Sequence, residues 1–193
     1  MSAENDLKET KISSRQVYDG VLLKVYKDEV ALPDGKTSVR EVIRHPGAVC
    51  IVPFLDDGSV IVEKQYRYAT EKVHIELPAG KLNFIGEDRL EAAKRELREE
   101  TGYTADSWTD LGGFYPAPAY SDEFIELFLA SGLHKGEREP DEDEFITVSS
   151  EPLSCLVDRV MRGEIENVIT QAGILRAGLM TLSFTNSAGF FAM

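Results

Sequence analysis

The chain has 193 residues, and its 21 Lys and Arg face 34 Asp and Glu, a formal net charge of −13. So acidic a surface repels polyphosphate backbones and anionic bilayers, which excludes general nucleic-acid and membrane-surface binding. Hydrophobic residues at 42% and charged residues at 28% describe one globular domain with room for a short arm. The longest wholly apolar run, Ala48 to Leu55, is too short to span a bilayer, and the first twenty residues lack a signal-peptide core. Cys50 and Cys155 are the only cysteines and read as buried thiols of a reducing compartment, so a cytoplasmic location is expected.

Residues 1–15 are polar and are expected to fray, followed by an arm of strands over 16–44, a main domain over 45–180 and a tail over 181–193. In the arm, Val21, Leu23 and Val25 alternate with polar residues, and Pro33-Asp34-Gly35-Lys36 reads as a hairpin turn. Thr37 to Arg44 alternates apolar and polar residues as a half-buried strand does. Ala48 to Leu55 is apolar on both faces, and Asp56 to Ser59 turns it into a second strand, Val60 to Tyr68. A short strand, Val73 to Leu77, stops at Pro78-Ala79-Gly80. The period then changes: Glu87 to Glu100 lacks Gly and Pro and is rich in helix formers, with Gly102 as its stop. Strand-like sequence resumes at Trp108 to Phe114 and Glu123 to Ala130, then an acidic stretch runs from Glu137 to Glu144. Two helices, Pro152 to Met161 and Asn167 to Leu179, close the pattern. Many strands, one central helix and a helical tail predict an α/β or α+β sandwich.

The chemistry concentrates in the central helix. At about 100° per residue, Leu90, Ala93 and Leu97 share about one sixth of its circumference and face the core. Glu96, Glu99 and Glu100 cover an adjoining arc of about 100°, with Glu100 nearest the apolar stripe. On an exposed helix, like charges at this spacing cost a few tenths of a kcal/mol per pair. At about 6 Å and an effective dielectric near 20, each pair repels by roughly 2–3 kcal/mol. A hard divalent cation reverses that sign by turning repulsion into oxygen ligation. A solvated acidic face, softened by Arg95 and Arg98, is the plain alternative that spacing alone leaves open.

The wider pattern resembles the signature of the Nudix hydrolases. In that family a Gly is followed after five residues by Glu, and after seven more by Arg-Glu-apolar-any-Glu-Glu-any-Gly-apolar. Here Glu87 and Arg95 enclose the required seven residues, and Arg95 to Tyr103 matches throughout. Gly80 and Glu87 enclose six residues instead of five, so one residue is inserted near Asn83-Phe84-Ile85, where a loop tolerates it. Arg44-His45-Pro46-Gly47-Ala48-Val49, Glu76-Leu77-Pro78-Ala79-Gly80-Lys81-Leu82 and Pro118 look like the ADP-ribose pyrophosphatase branch. Ala119 stands where that branch often has Gly.

The resemblance implies a Nudix-type α/β/α sandwich with a mixed sheet and an N-terminal antiparallel strand arm. It implies hydrolysis of ADP-ribose to AMP and ribose 5-phosphate with Mg²⁺, for which Mn²⁺ would substitute. Glu96, Glu99, Glu100 and the Ala79 carbonyl are the implied metal ligands, and Arg95 the residue that orients a neighbouring Glu. From the acidic stretch, Glu142 is implied as general base and Glu144 as an added ligand. Arg40, Arg44 and Arg67 are candidate cations for a diphosphate, with Glu41 and Glu123 as hydroxyl contacts. Arg40 and Arg44 share strand parity and so one face. Tyr66, Tyr68 and Phe114 are candidates to stack on a base, although strand aromatics are more often core. His45, His74 and His134 form no ligand spacing and read as structural. The arm's Val21, Leu23, Val25 and Val30 want a partner surface, which, with the branch's exchanged arm, points to a homodimer. The alternatives are the same chemistry on another nucleoside diphosphate sugar, such as GDP-mannose, and a catalytically silent nucleotide-binding module.

Overall fold

The computed structural model describes residues 6–139 and 145–189, with side chains to Thr181. Its contacts divide the chain into two compact units. The first ends at Gly47 and takes in Tyr115–Phe124; the second holds Ala48–Phe114 and the chain from Ile125 on.

In the first unit, β1 (Thr10–Asp19), β2 (Lys24–Ala31) and β3 (Thr37–Arg44) form an antiparallel sheet in that order. β1 begins at Thr10, inside the segment expected to fray. Its residues are exposed throughout, yet they pair with β2 from Thr10↔Ala31 to Asp19↔Lys24, so the backbone ladder orders a polar strand. The predicted turn is present: Leu32 N donates to Lys36 O at 2.7 Å and Gly35 N to Leu32 O at 2.9 Å. Of the four apolar arm residues, Val30 is buried and Val25 half-buried, whereas Val21 and Leu23 stay exposed.

The second unit is a layered sandwich. A mixed sheet runs β7 (Ala79–Lys81), β4 (Ala48–Pro53), β9 (Ile125–Lys135), β8 (Tyr103–Phe114), with β4 and β9 parallel and the other pairs antiparallel. An antiparallel sheet runs β10 (Ile146–Pro152), β5 (Ser59–Arg67), β6 (Lys72–Glu76). The apolar run of β4 is buried at every position because it is walled on both sides. Ala48, Cys50 and Val52 face a core completed by α2 (Leu153–Met161) and α3 (Val168–Gly189). Val49 and Ile51 face a second core with Leu82 and with Ala92, Ala93 and Leu97 of the central helix.

That helix, α1 (Arg89–Glu96), starts two residues later than expected, because the Asp88 carboxylate caps it by accepting Glu91 N at 3.0 Å. It runs into a π-helical turn, Leu97–Thr101, and stops at Gly102, whose φ of 79° favours a residue without Cβ. α3 runs ten residues past the predicted Leu179, to Gly189. The Thr181 hydroxyl turns back to Gly178 O at 2.8 Å, which spends its hydrogen bond without breaking the helix. Among the described residues no helix is long and apolar enough to cross a membrane.

Candidate active site

The π turn changes how the three carboxylates are displayed. A turn closed by i→i+5 bonds holds more residues, so each rotates the chain by less than the 100° assumed from sequence. Glu96 and Glu100 are buried, at 9% and 5% exposure, while Glu99 is half-buried.

Both buried carboxylates press on the short strand β7. Ala79 N donates to Glu100 Oε2 at 3.0 Å. At Gly80 a Cβ would collide with the carboxylate of Glu96, so only glycine lets that side chain lie against the strand. Ile51 N donates to Pro78 O at 2.9 Å, which makes Cys50↔Ala79 a pair not bonded to each other across the ladder. In an extended strand the N–H and C=O of one residue share a side. The Ala79 carbonyl therefore leaves the strand on the side where its N–H meets Glu100.

Arg95 is the cation of this cluster. Its Nη1 donates to Glu96 Oε1 at 2.7 Å and Glu99 Oε2 at 3.2 Å, and its Nη2 lies 3.7 Å from Glu87 Oε1. Burial would lower its pKa, but the charges and hydrogen bonds of Glu96 and Glu99 raise it above the ordinary arginine value. Glu87 also accepts Asn83 N at 2.6 Å, so the inserted loop residue does not carry it away from Arg95. Behind the site, burial pushes the Cys50 thiol up, and Glu100, Glu63 and Glu76 push it the same way. Glu63 and Glu76 are cross-strand partners, both buried.

Among the described residues, no three His, Cys, Asp or Glu side chains are drawn together closely enough to hold a metal ion by themselves. Arg95 stands between Glu96 and Glu99, and Glu100 is turned to the Ala79 amide. The donor chemistry nevertheless fits a hard divalent cation, being oxygen throughout, with the Gly80 cradle giving Glu96 its place.

The substrate candidates fall into separate groups. Arg67 belongs to the second unit and grips Glu76 through Nε, at 3.2 and 3.1 Å, and Nη2, at 2.6 Å. Asn167 Nδ2 joins Glu76 at 2.9 Å, while its Oδ1 caps α3 by accepting Ile169 N and Thr170 N. Arg40, Glu41, Arg44 and Glu123 belong to the first unit. Arg44 bonds Asp122 at 3.0 Å and the buried Asp28 at 3.1 Å, and Glu123 lies 3.7 Å from the His45 ring, so these two candidates share one polar cluster. Arg40 is paired instead with Glu9 and Ser38, and Glu41 is exposed. Tyr66 and Tyr68 are exposed, and Phe114 lies under the Arg176 guanidinium at 5.6 Å. Glu142 and Glu144 lie outside the described residues.

Sequence reasoning missed Arg138 and Asn167. Arg138 Nε donates to Glu100 O at 2.7 Å; a single cation inside an acidic run was its available signal. Asn167 shows only as an N-cap type ahead of an apolar run.

Comparison with known proteins divides the chain near the end of β3. Residues 44–169 match the NUDIX domain model, and residues 9–43 match the nucleoside diphosphate sugar hydrolase N-terminal domain. The chain is 40% identical over 170 residues to an ADP-ribose pyrophosphatase of Bacillus subtilis (strain 168), covering 87% of this chain and 91% of the relative. It is 40% identical over 184 residues to an ADP-ribose pyrophosphatase of Mycobacterium tuberculosis, covering 94% and 88%. A crystal structure of an ADP compounds hydrolase superposes with a TM-score of 0.80 at 25% identity, covering 91% of this chain and 95% of that one.

Proposed function

The chain belongs to the NUDIX family, and from that membership we propose that it hydrolyses the diphosphate of ADP-ribose to AMP and ribose 5-phosphate. It is a Nudix pyrophosphatase by its domain and by its relatives. The observation that carries the reading is the pair of buried carboxylates, Glu96 and Glu100, pressed on the Ala79–Gly80 strand. A solvated acidic face would not bury two carboxylates against a strand shaped to receive one of them.

Glu96, Glu99, Glu100 and the Ala79 carbonyl would hold the divalent ion, which we assign as Mg²⁺. When bound, such an ion supplies neutralisation of the diphosphate oxygens and a lowered pKa for attacking water. Arg95 orients Glu96 and Glu99 by donating a hydrogen bond to each. Glu142 is assigned as general base and Glu144 as a further ligand, by the position of the acidic segment. Arg44 and Glu123, in one cluster, are the first-unit residues best arranged to contact a sugar nucleotide. Arg40, Glu41 and Arg67 remain assigned to substrate, with Arg67 exchanging its grip on Glu76 for, or sharing it with, a phosphate.

Turnover of a panel of ADP-ribose, GDP-mannose and other sugar nucleotides tests this directly. ADP-ribose should give the highest kcat/KM, and chelation by EDTA should abolish activity that Mg²⁺ restores. Preference for another sugar nucleotide would move the substrate assignment. No turnover of any diphosphate with Mg²⁺ present would leave a silent binding module.

The exposed Val21, Leu22 and Leu23 beside an all-exposed β1 support a homodimer through the arm. Light scattering should report twice the chain mass, falling to the monomer when Val21 and Leu23 are replaced by Ser; a wild-type monomer at micromolar concentration would sink the dimer.

A further inference from the structure

The π turn ends in carbonyls that its own helix does not use, as every helix end does. Here their partners are specific. Arg98 O accepts Gly102 N at 2.8 Å, Glu99 O accepts Glu139 N at 3.2 Å and Gly102 O accepts Gly136 N at 2.7 Å. Glu100 O accepts Arg138 Nε at 2.7 Å, a bond to a charged donor and so among the stronger kinds. The two remaining nitrogens of the same guanidinium reach Ile146 O, at 3.4 and 3.3 Å. One planar fork thus joins the residue that follows Glu99 to the first residue of β10. Glu100 is held at both ends: its carboxylate by the Ala79 amide, its carbonyl by Arg138.

The stem is also built tightly around this fork. A Cβ on Gly102 would lie 3.0 Å from Arg138 Cγ and 3.0 Å from Gly136 O, so the stop signal of the helix doubles as the floor on which Gly136 to Arg138 rests. A π turn is a wide turn, and a wide turn whose last carbonyls are released can tighten and rotate its side chains. Shifts of about 1 Å in a positioned group far from the reacting bond can cost about 10²-fold in rate.

We propose that Arg138 is a positioning residue for hydrolysis: by bridging the Glu100 and Ile146 carbonyls, it locks the π turn that aims Glu99 and Glu100. This rests on the hydrolase reading above. Its role is geometric, since among the described residues the guanidinium bonds two carbonyl oxygens, those of Glu100 and Ile146.

Arg138→Met keeps the stem that packs on Gly102 and removes the fork; Arg138→Lys keeps the charge but reaches one carbonyl at a time. For Arg138→Met, kcat on ADP-ribose should fall roughly 10- to 100-fold with KM within about threefold. In the metal-free protein, hydrogen exchange at the Gly136 and Glu139 amides should quicken about tenfold or more, while the Ile51 amide is unchanged. Arg138→Lys should recover part of both effects. A kcat within twofold of wild type in Arg138→Met overturns the proposal, as does full recovery by Lys, which cannot bridge. A kcat loss that follows the unfolded fraction through a thermal melt also overturns it, because the residue would then be merely structural. If wild-type protein turns over no diphosphate, the hydrolase reading fails, and exchange at Gly136 and Glu139 still decides whether the fork locks the turn.

Discussion

Glu100→Gln is expected to leave the protein folded and to cut kcat by roughly 10²- to 10³-fold, about 3–4 kcal/mol of lost transition-state stabilisation. The substitution is close to isosteric, and its amide oxygen can still accept the Ala79 N–H, so the strand contact survives. What disappears is one full negative charge at a buried position, where neutral oxygen is a poor substitute ligand for a hard cation. Stability should change little or rise, because a buried carboxylate is removed from a low-dielectric setting. The measurement is kcat with saturating Mg²⁺ beside a thermal melt. A rate within about threefold of wild type would remove Glu100 from the ligand set and with it the site as drawn.

Gly80→Ala is expected to cost nearly as much activity from outside the acidic helix. The position does not require a positive φ, so the backbone accepts alanine and the whole effect is steric. The added methyl would fall on the Glu96 carboxylate, and both of its oxygens are too close to step aside by tenths of an ångström. The atoms met are the far end of a flexible side chain that can turn aside, so the cost sits at the low end of overpacking, about 1 kcal/mol, which lowers the melting temperature by roughly 2–4 °C in a chain of this size. Displaced, Glu96 loses its bond to Arg95, and kcat should drop about 10²-fold. Kinetics and calorimetry on the same sample check both halves. Wild-type kcat with an unchanged melt would mean that Glu96 does not rest on this strand.

How much of this could be read from residues alone depended on whether the physics was local. The stop expected at Pro78-Ala79-Gly80 ends β6 at Glu76, yet Ala79 and Gly80 themselves open β7; the doubly apolar β4 and the Gly102 stop follow from local pattern. So does the placing of Glu100 nearest the core, which holds although the turn departs from 100° per residue. The π turn itself was not legible, and neither were the partners that meet its last carbonyls from a distance: Glu139 N at Glu99 O and Arg138 Nε at Glu100 O. The grip of Arg67 on Glu76 was missed for a related reason. The two are nine residues apart and are not cross-strand partners, since Arg67 pairs with Lys72 and Glu76 with Glu63; the long arginine side chain reaches back along the sheet to Glu76. β1 was taken for frayed chain because Thr10 to Arg15 has almost no apolar content, whereas a hydrogen-bonded neighbour can order a strand that buries nothing. Arg138 was lost in the charge count of its surroundings, where one cation among acids reads as solvation.

Five of the six buried residues of β4 belong alternately to two cores, and the neighbouring β9 is divided between the same two. A partition of that kind cannot give way on one side only: loosening the helical layer that carries the acids strips Val49 and Ile51 of cover, and the same backbone then surrenders Ala48, Cys50 and Val52. The second unit should therefore melt in one cooperative step rather than shedding its acidic layer first. The catalytic geometry would then persist, undiminished, up to the temperature at which the whole unit collapses.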